Sequence, residues 1–184
     1  MNKIVAVVGM CGSGKSCVTE HFVKRGWSRV YFGGVTIHEL RARGLPVNED
    51  NERAVREELR RELGLGAYAI KLEPEIRACA EKGDTVLDGL YSWQEFVHLK
   101  EAFGDRLIIL AVVTNRAIRY ERLRDRPVRP LTAEMATKRD YTEIENLAKG
   151  GPISIADWYL DNNGDEAALE AQVKAFLAAI GRGE

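Results

Sequence analysis

Apolar residues follow two rhythms along this chain. Short runs at Ile4–Val8, 30–32, 85–89, Leu107–Val113 and 158–160 are almost continuous, the signature of short strands enclosed on both faces. Between them apolar positions recur every three or four residues, predicting helices over 17–25, 35–43, Glu49–Leu63, 68–82, Trp93–Phe103, 115–124, 132–149 and 165–180. In the last of these, Leu169, Val173, Phe176, Leu177 and Ile180 share one face. Punctuation agrees with the periodicity. Gly26, Gly44-Leu45-Pro46, Gly83, Gly104 and Gly150-Gly151-Pro152 stand where helices should stop; Asn48 (or Asn51) and Thr132 stand where they should start. Pro74 predicts a kink or break in the helix over 68–82. The most apolar run, Leu107–Val113, is expected as the central strand.

Strands alternating with helices predict an α/β domain with a parallel sheet, helices on both faces and a ligand at the C-terminal ends of the strands. No repeat or linker divides residues 1–184, so one domain is expected.

The first strand runs into Gly9-Met10-Cys11-Gly12-Ser13-Gly14-Lys15-Ser16, a full match to G-x-x-x-x-G-K-[ST] followed by a helix. In that setting glycines let backbone N–H groups turn toward an anion, and the helix N-terminus adds partial positive charge. Gly9, Cys11, Gly12, Ser13, Gly14, Lys15, Ser16 and Cys17 are therefore the expected triphosphate cradle. Lys15 would reach the β- and γ-phosphates, and Ser16 would take a position on Mg²⁺. The run ending at Asp88 and followed by Gly89 has the form of the strand whose carboxylate orders that metal ion.

Charge and cysteine content narrow the classes. Lys+Arg 27 against Asp+Glu 28 gives a net charge of −1, so no global basic field points to nucleic acid. No apolar run approaches a membrane span, and the N-terminal run becomes the glycine loop instead of a leader. Cys11, Cys17 and Cys79 read as reduced thiols of a cytoplasmic protein, and Cys11 and Cys17, which flank the phosphate site, as small buried side chains in preference to oxidation-sensitive ones. The expected partner is a small molecule, with the chain a monomer or homodimer.

Nucleoside triphosphates serve transfer, motion or switching. Asp88 is followed by Gly89, not by a glutamate that would orient water, and Thr114-Asn115-Arg116-Ala117 lacks the N-K-x-D of guanine-specific switches. Arg119, Arg122, Arg124, Arg126, Arg129 and Arg139 lie close together in sequence. Arg119, Arg122 and Arg126 would share one helical face, and Arg126 and Arg129 flank prolines as at the hinge of a lid. A transferring phosphoryl group needs such fixed cations. Lys15, Asp88, Arg122, Arg126, Arg129 and Arg139 are accordingly the expected catalytic set.

With these features the chain resembles P-loop kinases of the nucleoside monophosphate kinase (adenylate kinase-like) group. The motifs are the glycine loop, Asp88-Gly89 and Arg119-x-x-Arg122-Leu123-x-x-Arg126. The segments Leu72-Glu73-Pro74-Glu75-Ile76-Arg77 and 156–164 are similar to ones in dephospho-CoA kinases. The resemblance implies a P-loop NTPase three-layer α/β/α sandwich with a mostly parallel five-stranded sheet, an acceptor-side helical segment at about 35–66 and a small helical lid at about 125–150. It implies ATP and Mg²⁺ as cofactors and a nucleotide-like acceptor. The chain departs from both groups on the acceptor side. Gly34, Ile37 and Ser92 stand where adenylate-type kinases carry their Asp and two acceptor-phosphate arginines, and Gly33-Gly34 supplies no carboxylate for a hydroxyl acceptor. A hydroxyl acceptor would need a base, for which Asp88, His38 and Glu39 are candidates. A phosphate acceptor would need cations instead, and His38, Arg41, Arg53 and Arg77 are available. Gly33 and Gly34 could admit a flat ligand, stacked on Tyr31, Phe32, Tyr91 or Trp93. The rival expectation is an NTP-hydrolysing regulator or nucleotide sensor acting on a protein partner.

Overall fold

The computed structural model describes residues 1–183. Five strands, β1 (Ile4–Val8), β2 (Ser28–Tyr31), β3 (Thr85–Asp88), β4 (Leu107–Val113) and β5 (Trp158–Asp161), form one sheet in the order β2-β3-β1-β4-β5. Every pairing is parallel. The central strand is β1, which corrects the expectation for β4. All five β1 residues are buried, whereas Ile108 and Val113 of β4 are only partly covered beside the short edge strand β5.

Nine helices of four residues or more connect and cover the described strands: α1 (Lys15–Val23), α2 (Gly34–Ala42), α3 (Glu49–Leu63), α4 (Ala67–Lys82), α5 (Trp93–Phe103), α6 (Arg116–Asp125), α7 (Ala133–Leu147), α8 (Gly150–Ser154) and α9 (Glu166–Ala179). Alternation along β1 divides the core. Ile4, Ala6 and Val8 pack with Leu72, Ile76, Leu99 and Phe103 of α4 and α5. Val5 and Val7 face the other way, toward Val18 and Phe22 of α1 and Val173 and Phe176 of α9. A strand's period of two therefore builds both outer layers of the sandwich.

Local signals account for most boundaries. Asn48 accepts from the Asn51 N–H at 2.9 Å and starts α3. Ser92 and Glu95 form a reciprocal capping box that starts α5. Two expectations fail. Pro74 does not break α4, which runs continuously from Ala67 to Lys82. Pro74 and Ile70, whose carbonyl loses its donor, both face solvent, while Leu72 and Ile76 anchor the helix from the buried side. Gly150-Gly151-Pro152 does not terminate the helix predicted over 132–149; α7 stops at Leu147, and these three residues open α8. A proline in a first turn loses no intrahelical bond, so it starts a helix as readily as it stops one.

At the end of the sheet where the strands begin, Arg182 Nη2 donates to the Met1 carbonyl at 3.1 Å and to Asp84 Oδ1 at 3.2 Å. Asp84 also accepts from the Lys3 N–H at 2.7 Å. No helix among the described residues is long and apolar enough to cross a membrane.

Candidate nucleotide site

The loop from Gly9 to Gly14 leaves the C-terminal end of β1 and turns into α1 at Lys15. The register aligns Val7 with Asp88 on one side and Leu110 on the other, so the loop emerges between the ends of β3 and β4. Gly9 has φ +150°, and a Cβ there would lie 2.5 Å from the Val112 carbonyl oxygen. Gly14 has φ +94°, and its Cβ would lie 2.1 Å from Asn162 Nδ2. Both positions exclude a side chain on conformation and on space. Asn162 Nδ2 donates to the Ser13 carbonyl at 2.8 Å, and Thr114 Oγ1 donates to the same oxygen at 3.0 Å. Residues after β5 and β4 thus brace the loop from behind, a role their sequence positions did not announce.

On the open side, Lys15 Nζ donates to the Met10 carbonyl at 2.9 Å across the loop. Burial, reinforced by the nearby Lys149, lowers the Lys15 ammonium from the usual 10.5 to about 7. Ser16 and Cys17 are exposed at the start of α1, and Cys11 is half-buried. Exposure of Cys17 corrects its reading as a buried small side chain. The three cysteines are free thiols. Two polar atoms here, Ser13 Oγ and Arg122 Nη1, are buried without a hydrogen-bond partner. The Arg122 nitrogen lies 4.0 Å from where a Gly14 Cβ would be. Buried donors are rarely left unmatched, which sets these two atoms apart from the rest of the loop.

The arginines divide into distinct roles. Arg119 is buried and makes a bidentate pair with Asp140 of α7 at 3.0 and 2.6 Å, while Nη1 also reaches the Cys11 carbonyl at 2.9 Å. It ties α6, α7 and the glycine loop together, with three of its five N–H groups used inside the protein. Arg122 faces the loop. Arg126 leaves the helical face: α6 ends at Asp125, because Pro127 forces the residue before it into an extended conformation. Its Nε donates to the Arg129 carbonyl. Arg129, at φ +52°, turns to α3 and pairs with Glu52 at 3.1 Å and Glu49 at 3.7 Å. Arg139 donates to Glu143 at 3.1 Å.

Glu143 belongs to a buried group that sequence reasoning missed. Lys149, only 2% exposed, donates to Glu143 at 2.6 Å and lies 4.5 Å from the centre of the Tyr91 ring. Ala148 in the left-handed conformation (φ 49°) folds Lys149 back onto α7, where its N–H reaches the Glu143 carbonyl at 3.2 Å. Burial opposes ionisation of Glu143, but Lys149 and Arg139 outweigh it and hold the carboxyl below its usual range. The Tyr91 phenol is pushed up by burial and by Tyr31, Glu143 and Asp88. A lysine ahead of Gly-Gly-Pro carries no sequence sign of such burial. Asp88, buried at the end of β3, pairs through Oδ2 with Arg29, which also holds Glu20 at 3.0 Å.

The acceptor side differs from expectation. The end of the half-exposed Tyr31 side chain packs against Gly33, where a Cβ would otherwise stand. Gly34 begins α2. Trp93 covers Gly151, Tyr91 covers Lys149, and Phe32 is core. His38 and Arg41 are exposed on α2, and Arg53 is exposed with Asp50 at 2.9 Å. Arg77 pairs with Glu73 at 2.6 Å and lies over Phe103, at the end of α5 that leads into the start of β4. That is the end of the sheet opposite the glycine loop, which removes Arg77 from the acceptor side. Instead α3 presents Arg56 and Arg60. The Arg60 guanidinium lies 5.5 Å from the centre of the Tyr68 ring, and Tyr68 shares a buried 2.7 Å hydrogen bond with Thr36.

Comparison with known proteins places this geometry. Residues 5–147 match the AAA domain family. A UPF0200 protein of Thermococcus gammatolerans is 39% identical over 184 residues, covering 98% of this chain and 96% of that protein. Among solved structures, shikimate kinase from Acinetobacter baumannii in complex with shikimate aligns with TM-score 0.61 and 16% identity, over 98% of this chain and 94% of that one. A gluconokinase from Sinorhizobium meliloti aligns with TM-score 0.60 and 18% identity, over 97% and 93%. The fold is thus a P-loop NTPase-like α/β/α sandwich shared with small-molecule kinases.

Proposed function

The chain belongs to the UPF0200 family and carries an AAA domain, and we propose that it is an ATP- and Mg²⁺-dependent phosphotransferase acting on a small, nucleotide-like acceptor. Such an activity is of the nucleoside monophosphate kinase or dephospho-CoA kinase type. The observation that carries the reading is the pair of buried, unpartnered polar atoms at the glycine loop, Ser13 Oγ and Arg122 Nη1. Leaving a buried donor unmatched costs about 1–3 kcal/mol, and a polyphosphate on the loop relieves it.

In this reading the N–H groups of residues 9–16 and the Lys15 ammonium grip the β- and γ-phosphates. Ser16 and Asp88 would hold Mg²⁺, which supplies charge neutralisation on the phosphate oxygens. No cluster of three or more His, Cys, Asp or Glu suited to a metal exists among the described residues, so the ion would rely on nucleotide oxygens as well as these two side chains. Arg122 stands nearest the transferring group. Arg139 and Lys149, held by Glu143, supply positive charge behind it. Arg126 and Arg129 would join only when the lid releases its contacts with its own backbone and with α3.

The test is ADP release from ATP and Mg²⁺ with and without a panel of nucleoside monophosphates and dephospho-CoA. Acceptor-dependent release, lost in Lys15→Ala, is the expected result. Hydrolysis that ignores every acceptor but rises with a protein partner would support the regulator, the alternative favoured by the AAA domain match.

A further inference from the structure

Three buried side-chain polar atoms among the described residues have no hydrogen-bond partner: Ser13 Oγ, Arg122 Nη1 and Arg60 Nε. Two of them define the glycine-loop cradle. The third lies on α3, facing Tyr68, and nothing in the nucleotide site uses it. Resting on the phosphotransferase reading, we infer that Arg60 marks a second anion seat, between α3, α4 and the start of α5, that takes the phosphate group of a phosphate monoester acceptor.

Local construction supports a built seat. Tyr68 fixes the guanidinium by stacking at 5.5 Å and is itself fixed by the buried 2.7 Å bond to Thr36. Arg56 lies one turn earlier on the same face of α3, and both arginines act on the Tyr68 phenol. Arg56 is engaged by Glu52 at 3.4 Å and Glu49 at 3.2 Å. Arg60 has no carboxylate partner among the described residues, and its Nε is buried with no partner. Across the seat Glu95 gives one oxygen to the N–H groups of Tyr91 at 2.7 Å and Ser92 at 3.0 Å. Burial raises its carboxyl to about 7, which weakens its claim on Arg60. Glu95 feels the charge of both Arg60 and Lys149, and Lys149 acts on Lys15, so the seat and the glycine loop are linked electrostatically.

The chemistry of the acceptor follows from which bases are free. Asp88 is paired with Arg29, Glu39 is bonded to Lys71 at 2.6 Å, and His38 is exposed on α2. None of these three is poised to deprotonate a hydroxyl in the cleft, and Glu95 across the seat is tied up by the Tyr91 and Ser92 N–H groups in the capping box of α5. A phosphate oxygen needs no base because it is already ionised. In the step inferred, that oxygen forms a bond to the γ-phosphorus of ATP as the bond from γ-phosphorus to the β,γ-bridging oxygen breaks. ADP leaves with the electron pair, and no proton is moved.

To test the seat, the full chain is saturated with adenylyl imidodiphosphate and Mg²⁺, then titrated with inorganic phosphate and, separately, malonate in a calorimeter. We expect one further phosphate per chain, bound more tightly than malonate. In Arg60→Gln that binding weakens roughly tenfold to a hundredfold, the loss of a charge-assisted contact. Affinity for the nucleotide analogue stays within twofold, which also certifies the variant's fold, and Arg60→Lys recovers part of the phosphate affinity. No second phosphate, equal binding in Arg60→Gln, or preference for malonate would overturn the inference. Failure of the wild-type chain to bind the analogue would instead remove the phosphotransferase reading beneath it.

Discussion

Lys15 carries the sharpest consequence at the scale of single residues. Its ammonium ionises near 7 because burial, and next Lys149, disfavours the charge. A polyphosphate restores that charge, so nucleotide binding above pH 7 should take up a proton. Affinity should fall with rising pH, approaching about tenfold per unit until the value in the complex is passed. Calorimetry at pH 8 in buffers of different ionisation enthalpy measures the uptake directly. The same shift acts on stability in a definite direction. Between about 7 and 10.5 the unfolded chain holds more protons at this lysine, so its contribution to stability rises with pH across that window. Arg122→Ala should weaken nucleotide binding roughly tenfold, because the donor that a polyphosphate would satisfy is gone, and lower kcat by about 100-fold or more. It should also raise stability by about 1 kcal/mol, because a buried unmatched donor disappears; urea denaturation checks the effect on stability. Residues 9–16 were legible in the sequence because their chemistry is local, a run of glycines and one lysine between a strand and a helix. Asn162, Thr114 and Lys149 were not, since each matters only through contacts made across long stretches of chain.

Elements were read best where a start or stop signal coincided with a change of period. Glu49–Leu63 and Trp93–Phe103 match their predicted limits because Asn48 and Ser92 cap them with side-chain oxygens. Boundaries failed where one residue type serves two purposes: Pro152 starts a helix, and Pro74 sits harmlessly on the wet side of one. The junction of α7 and α8 turns on Ala148, an alanine at φ 49°. Glycine adopts that conformation without the Cβ clash, so Ala148→Gly should stabilise the fold by about 1 kcal/mol. A valine there should destabilise it; thermal melts of the two variants should move in opposite directions. The arginine-rich segment shows how an element's pattern misleads. Arg119, Arg122 and Arg126 are spaced for one face, yet Pro127 ends the helix before the third and Asp140 captures the first.

For the molecule as a whole, the alternation of strands and helices was enough to predict three layers and a parallel sheet. It was not enough to order the strands, because β1 and β4 are comparably apolar and differ only in what flanks them. The loop between α6 and α7, the proposed lid, is tied to α3 through Arg129 with Glu52 and Glu49. Arg129 is 61% exposed in its side chain, so Arg129→Ala should change stability by less than about 1 kcal/mol. Hydrogen exchange should nonetheless quicken at residues 126–132 and in the first turn of α3, with the sheet unaffected. Slower or unchanged exchange there would show that the tie does not restrain the lid. The clasp of Arg182 onto Met1 and Asp84 has a different reach. Because residues 1 and 182 touch at the end of the sheet away from the glycine loop, a short peptide could join them and new termini could be opened within the exposed segment 44–48. Such a circular permutant would keep the glycine loop, lid and sheet in one uninterrupted stretch while freeing the segment ahead of α3, making the fold a tractable scaffold for attaching reporters beside the cleft.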